Sequence, residues 1–145
     1  MSVCQLLVTI ILLLPTTVVS FRDQIVGVRG KLSCNNRFLQ SATVRLIEKN
    51  YVGPDVILAE NKTNYQGSYE VIGRGRGVLE MNVYLKLFHD CDDGIIPCQR
   101  TVSLRIPSSY ISRGTSVNNY FEAGTMNMAF RYPDEQRSCT DRIFS

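Results

Sequence analysis

The residues with the greatest capacity for chemistry lie in one short stretch, where His89 is followed by Asp90, Cys91, Asp92 and Asp93. His89 is the one histidine of the chain, so the sequence excludes a multi-histidine metal site and offers a single imidazole base. A catalytic pair of His89 with Asp90 is disfavoured because adjacent residues of a strand point to opposite faces. We therefore expect His89 to be a structural residue, hydrogen-bonded near the end of a strand.

The acidic residues and cysteines of this stretch do not form a metal-binding motif. Asp90, Asp92 and Asp93 lack the alternating order and the closing glutamate of a calcium loop. Cys91 and Cys98 are too widely spaced for a zinc knuckle, and the sequence has no second knuckle. Motifs for a nucleophile elbow, a phosphate loop or a zinc helix are also missing. The sequence therefore predicts no metal, no cofactor and no enzymatic activity.

Four positive side chains form the best candidate for a binding site. Arg29 and Lys31 share the outward face of a predicted strand, and Arg74 and Arg76 alternate with glycines in the predicted loop Gly73–Gly77. Guanidinium groups can bind phosphate or sulfate through two parallel hydrogen bonds. We expect an anion-binding surface here, with the loop as its centre.

The first 20 residues are typical of a secretory signal peptide. An apolar run from Leu6 to Leu14 ends at Pro15, and Val18 and Ser20 fit the small-residue positions before a cleavage site. The run is shorter than the ~20 residues that a membrane-spanning helix needs. We expect residues 1–20 to be removed, which leaves residues 21–145 as a secreted, extracellular domain without a transmembrane segment.

The composition is that of one globular domain with disulfide bonds. The chain has 145 residues, of which 44% are hydrophobic and 20% charged, and its net charge of +3 does not indicate a nucleic-acid partner. Of its five cysteines, Cys4 belongs to the leader. The other four predict two disulfides after export, in any of three pairings: Cys34, Cys91, Cys98 and Cys139. Asn61 begins the sequon Asn-Lys-Thr and is a candidate for N-glycosylation.

Apolar and polar residues alternate with period two along most of the chain, which is typical of strands with one buried face. Short turn signals separate the runs, and a brief helical turn is expected near Ser108–Ser112. The predicted strands are Ile25–Cys34, Thr43–Lys49, a weaker Ile57–Thr63, Ser68–Gly73, Met81–Cys91, Arg100–Pro107 and Tyr120–Phe130. About seven such strands predict an all-β, antiparallel β-sandwich.

Several of these segments, taken in order, resemble the nematode transthyretin-like family. The segments that carry the resemblance are Val28–Cys34, Ala42–Lys49, Leu58–Thr63, Gln66–Tyr69, Val83–Cys91, Cys98–Arg100 and Ile106–Ile111. The His-x-Cys of His89 and Cys91, followed by a hairpin and another cysteine, is the most specific part. The similarity extends from about residue 25 to 111, whereas residues 112–145 are less diagnostic.

The resemblance implies a secreted prealbumin-type sandwich that works by binding. Related enzymes hydrolyse 5-hydroxyisourate with several histidines and a C-terminal Tyr-Arg-Gly-Ser type motif, which this chain lacks. The expected partner is an extracellular protein, a glycan or an anionic lipid surface. The alternative is a carrier of a small hydrophobic ligand at a subunit interface, where Met126 and Met128 could line an apolar surface. The sequence leaves the oligomeric state open.

Overall fold

The computed structural model describes residues 3, 17, 18 and 20–139. Most of the predicted leader, with Cys4, therefore lies outside the described residues. Within those ranges, no helix is sufficiently long and apolar to cross a membrane.

The described chain is built from β-strands and one 3₁₀ turn, which occupies Ser108–Tyr110 where a helical turn was expected. The strands are β1 (Arg22–Cys34), β2 (Arg37–Phe38), β3 (Thr43–Glu48), β4 (Val56–Lys62), β5 (Ser68–Gly77), β6 (Val83–His89), β7 (Gln99–Arg105), β8 (Ile111–Arg113), β9 (Phe121–Asn127) and β10 (Gln136–Ser138). Each of the seven predicted strands overlaps one of these. The three additional strands are only two or three residues long and carry too little periodicity to be found from sequence.

The strands form two sheets that pack face to face, so the predicted sandwich is confirmed. In the first sheet, β1 pairs with β5 over Arg22–Lys31 and with β2, β8 and β9 over shorter stretches. The second sheet has the order β10-β7-β6-β3-β4. Strand pairs are antiparallel, except that β9 runs parallel to β1.

The core lies between the inner faces of the two sheets. Alternating residues of β1, β3, β6 and β7 are completely buried there, among them Val26, Val28, Val44, Leu85 and Val102. Burial of such side chains stabilises the fold by about 1.5–3 kcal/mol each. The alternation of apolar and polar residues in the sequence follows from this burial of one face of each sheet.

The first half of β1 departs from that pattern, because Gln24 to Val28 are all buried. The segment before β9 covers the outer face of β1 at this point. A Cβ atom on Gly27 would lie only 2.6 Å from Cε1 of Tyr120, so the glycine makes room for that ring. Arg29 in turn places its guanidinium 3.6 Å above the centre of the Tyr120 ring.

The prediction that Gly73–Gly77 forms a loop is wrong, because these residues are the second half of β5 and pair with β1. Gly73 and Gly75 face the opposite sheet. A Cβ atom on Gly73 would lie 2.9 Å from the Cβ of Leu58, and one on Gly75 would overlap the sulfur of Met81. Gly73 therefore serves a close approach between the two sheets, and Gly75 makes room for Met81 in the segment between β5 and β6.

We predict that Gly73→Ala destabilises the domain by about 1–3 kcal/mol, because the Cβ of Leu58 cannot move without its backbone. Gly77→Ala is the matched control, since its added Cβ would be 3.6 Å from the nearest atom. This control should be neutral or slightly stabilising. Free energies of unfolding in urea measure both, and equal effects of the two variants would contradict this packing role.

Candidate functional site

The four cations proposed for anion binding do not converge on one place. All are exposed or half-buried on the first sheet, but Arg74 pairs in register with Ile25 and Arg76 with Asp23. Arg29 lies four residues further along β1, or roughly 13 Å. The candidate set therefore separates into two groups.

Arg29 and Lys31 line an open groove of about 730 Å³ that also includes Asn61, Lys62 and Glu122. Arg29 is already paired: its Nε lies 2.7 Å from Oε2 of Glu70, and its Nη1 lies 3.9 Å from Glu122. The hydrogen bond to Glu70 raises the pKa of Arg29 above its usual value. Because two carboxylates share this groove, it has little excess positive charge for an anion.

Arg74 and Arg76 have two neighbours that the sequence did not indicate. Across the strand pairs, Arg22 lies opposite Gly77, and Arg113 lies opposite Gln24. All four arginines are exposed. Paired residues share a face of the sheet, so Arg74 and Arg76 lie on its outer face, whereas Arg22 and Arg113 have the phase of the inner face. We call the end of the first sheet that carries these four arginines the arginine end.

The backbone at the arginine end is held firmly. Gln24 is buried beneath it, and its side-chain amide donates to the carbonyl of Leu79 at 2.8 Å and accepts from the N–H of Met81 at 3.0 Å. These bonds fix the chain that follows β5. A cavity of about 300 Å³ opens beside Arg74 and is also lined by Asp23, Gly114 and Thr115.

The nearest carboxylate competes only weakly for these arginines. The Nε of Arg76 lies 3.8 Å from Asp23, and the two side chains are 71% and 59% exposed. Exposed ion pairs of this kind contribute about 0–1 kcal/mol. A phosphate or sulfate that accepts two hydrogen bonds from a guanidinium can therefore displace Asp23.

His89 is a buried residue, as expected from the sequence. Its side chain is 1% exposed, and Nδ1 accepts a hydrogen bond from the N–H of Cys91 at 3.1 Å. Burial, with the nearby positive charge of Arg100, lowers the pKa of His89 to about 4. The imidazole is thus neutral at physiological pH.

Arg100 organises the C-terminal part of the described chain from within the core. Its guanidinium donates to the carbonyls of Cys91, Met128 and Phe130 at 2.8–2.9 Å and forms a two-bonded ion pair with Glu135. This pair lowers the pKa of the Glu135 carboxyl. Arg100 was not singled out from the sequence, although this charged residue is in phase with the inward Val102.

Both disulfides lie at the same end of the molecule as Arg100. Cys34 pairs with Cys91, and Cys98 pairs with Cys139. Beside the second bond, Arg137 forms a two-bonded ion pair with the buried carboxylate of Asp93, at 2.9 and 2.6 Å. The hydrogen bond from Arg137 lowers the pKa of Asp93. The acidic stretch after His89 therefore includes a structural anchor.

Met128 is completely buried in the core, and Met126 packs against it from a half-buried position. This placement gives no support to an apolar ligand surface at these two methionines. In the described part of the chain, no group of three or more histidine, cysteine, aspartate or glutamate side chains is arranged to hold a metal ion.

Two sheets that pack face to face and are linked by the bond Cys34–Cys91 define the class of the protein as a disulfide-bonded β-sandwich. Residues 29–107 match the model of the transthyretin-like family. The chain belongs to the transthyretin-like family.

Curated relatives from Caenorhabditis elegans agree with this assignment. Transthyretin-like protein 5 is 39% identical over 80% of this chain and 84% of its own length. Transthyretin-like protein 33 is 37% identical over 82% of this chain and 84% of its own. Transthyretin-like protein 2 is 34% identical over 81% of this chain and 84% of its own length. The names of these relatives describe a family and not a ligand.

We predict that stability falls by about 2 kcal/mol between pH 7.5 and pH 5 because of His89. A histidine whose folded pKa is lowered binds a proton more readily in the unfolded chain. Its contribution is therefore lost as the pH falls from the unfolded pKa near 6.5 towards about 4. The carboxyls of Glu135 and Asp93 have lowered pKa values, so their stabilisation is lost only at more acidic pH.

Urea unfolding at the two pH values, with disulfides intact, measures this effect. His89→Asn is the appropriate variant, because an asparagine oxygen can replace Nδ1 as acceptor for Cys91 while the titrating group is removed. We expect the variant to lose most of the pH dependence. An unchanged dependence would show that other groups cause it.

Proposed function

We propose that this protein is a secreted, non-enzymatic binding module that contacts anionic groups of an extracellular glycan or lipid surface through its arginine end. The observation that carries this proposal is the pair Arg74 and Arg76, which is exposed on the outer face of β5 and has only a weak ion pair with Asp23. Phosphate and sulfate are the anions that guanidinium groups recognise best.

Secretion is supported by the leader-like first 20 residues and by the disulfides. The bonds Cys34–Cys91 and Cys98–Cys139 close long segments of the chain, with sequence separations of 57 and 41 residues. Disulfides of this kind persist in the oxidising environment outside the cell. Family membership agrees with this location.

The burial and the lowered pKa of His89 argue against a catalytic role and so support a role in binding. Because its side chain is 1% exposed and Nδ1 is occupied by Cys91, the imidazole is poorly placed to take a proton from a substrate. A pKa of about 4 also makes it a weak base at neutral pH. The chemistry that remains accessible on the surface is the positive charge of the arginines.

The rigidity of β1 and β5 favours this use of the arginines. Ten register positions pair the two strands, from Arg22–Gly77 to Lys31–Ser68. The Cα positions of Arg74 and Arg76 are therefore fixed before a ligand arrives, and only side-chain freedom is lost on binding. Arg29 and Lys31, which are held in the groove, are not needed for this contact.

We predict that Arg74→Ala with Arg76→Ala weakens binding to heparin and to vesicles with anionic headgroups by roughly 10–30-fold, because each arginine near such a surface contributes ~1 kcal/mol. Heparin-column elution and vesicle cosedimentation at several salt concentrations measure the effect. Arg22→Ala with Arg113→Ala should weaken binding less, because these two residues have the phase of the inner face.

The control is Arg37→Ala with Arg105→Ala, which removes the same charge at exposed positions away from the arginine end. Equal losses in both double variants would indicate a response to net charge alone and would sink the proposed site. Absence of salt-sensitive binding by the wild-type chain to either probe would sink the function as well. Binding to only one probe identifies whether glycan or lipid carries the anion.

A further inference from the structure

Two sheet edges lie side by side on the flank of the molecule that includes Asn61. Strand β4 ends the second sheet, and β5 ends the path β2-β1-β5 of the first, so each has one edge without a strand partner among the described residues. A short turn joins β4 to β5, which keeps the two edges adjacent. Such edges carry backbone groups that can pair with another chain.

The hydrogen bonds of β5 show which of its backbone groups face outward. The carbonyl of Gly67 accepts from the N–H of Leu32, so it points towards β1. The carbonyls of Ser68 and Glu70 instead accept from Asn64 and from the side chain of Asn61. Alternation along the strand therefore directs the backbone groups of even-numbered residues to the free edge.

Strand β4 adds apolar surface to this flank. Val56 and Ile57 are 44% and 58% exposed, respectively, which is high for β-branched aliphatic side chains in a strand. A free strand edge with exposed β-branched residues is a template for pairing with a second copy. The charge of Glu60 does little to prevent such pairing, because its Oε2 lies 2.6 Å from Nη2 of Arg45 in an ion pair.

Asn61 is located between the two edges. It is exposed on β4, and its Nδ2 donates to the carbonyl of Glu70 on β5 at 2.9 Å. Its Oδ1 accepts from the N–H of Lys62 at 2.8 Å. A group attached to Nδ2 would therefore be anchored in the gap between β4 and β5.

We propose that Asn61 carries an N-linked glycan that covers the free edges of β4 and β5 and prevents them from pairing with a second copy of the chain. The inference rests on the secretion proposed above. In the transfer, Nδ2 forms a bond to the anomeric carbon of a lipid-pyrophosphate-linked oligosaccharide. The bond from that carbon to the pyrophosphate oxygen breaks, the lipid pyrophosphate leaves with the electron pair, and one amide proton passes to a base of the transferase.

The substituted amide retains one N–H, which is sufficient for the single hydrogen bond to Glu70. The sequon hydroxyl belongs to Thr63, which is buried and donates to the carbonyl of Leu39 at 2.6 Å while it accepts from the N–H of Ala42. Glycan addition must therefore precede folding. Asn61 is the residue to replace in a test, because changing Thr63 would break its two internal hydrogen bonds.

The test compares the secreted wild-type chain with Asn61→Gln by intact mass and by size-exclusion chromatography with light scattering. We expect the wild type to carry a glycan and to be monomeric, and Asn61→Gln to self-associate at the same concentration. If Asn61→Gln is not secreted, wild-type chain oxidised and folded in a bacterial periplasm, without glycan, replaces it. An unmodified Asn61, or a monomeric glycan-free chain, overturns the proposal.

Two further variants show whether the position of the glycan matters. Val52→Thr creates a new sequon at Asn50, in the loop before β4 and roughly 20 Å along the strand from Asn61. Combined with Asn61→Gln, it should still self-associate, whereas Ile57→Lys with Asn61→Gln should return to a monomer because it charges the exposed edge. A monomeric Val52→Thr double variant contradicts edge shielding.

The result of this test does not depend on whether the arginine end binds anions. Heparin and vesicle binding through Arg74 and Arg76 can fail while the glycan still controls association. Conversely, an unmodified Asn61 leaves the anion-binding measurement intact.

Discussion

The buried guanidinium of Arg100 is the constraint on which the C-terminal half of the structure depends. Its five N–H donors are all used, three by backbone carbonyls and two by the carboxylate of Glu135. A buried charge is tolerated only when it is paired and hydrogen-bonded, since an unpaired one costs several kcal/mol. The segment from Met128 to Glu135 must therefore lie against the end of β7 for the core to be stable. The ion pair of Arg137 with Asp93 and the bond Cys98–Cys139 extend the same attachment.

The same residue type has three distinct roles in this molecule, and the surroundings decide between them. Arg100 is enclosed and fully bonded. Arg29 is held on the surface by Glu70 and by the ring of Tyr120, so its charge is already used within the fold. Arg74 stands on the exposed face of β5, where the inward glycines on either side of it bring the two sheets together. Close packing and exposed positive charge are thus combined in one alternating Gly-Arg segment, with the glycines on the inner face and the arginines outside.

Much of the fold could be predicted from the sequence, because one-sided burial in a strand leaves a period-two pattern. That pattern located the seven principal strands and put His89 on an inward position, and the resemblance to the family covered about residues 25–111. The Gly73–Gly77 segment was misread because glycine and arginine are both common in loops. Its glycines instead reflect contact with Leu58 and Met81, which lie on other parts of the chain. The disulfide pairing was likewise left open, because spacing along the chain does not show which cysteines meet.

By itself, the sequence determined the fold class, the seven principal strands, the buried position of His89 and the presence of an even set of cysteines for disulfides. The strands and the position of His89 depend on residues that are close together in sequence, so they can be recognised locally, and the cysteines need only be counted. Only the tertiary structure decided which arginines share a surface, which carboxylate neutralises Arg100 and which edges remain free. Those properties depend on the register between strands that are distant in sequence, as in the placement of Arg113 beside Gln24. Register is fixed by the packing of the two sheets as a whole, and no short stretch of residues specifies it.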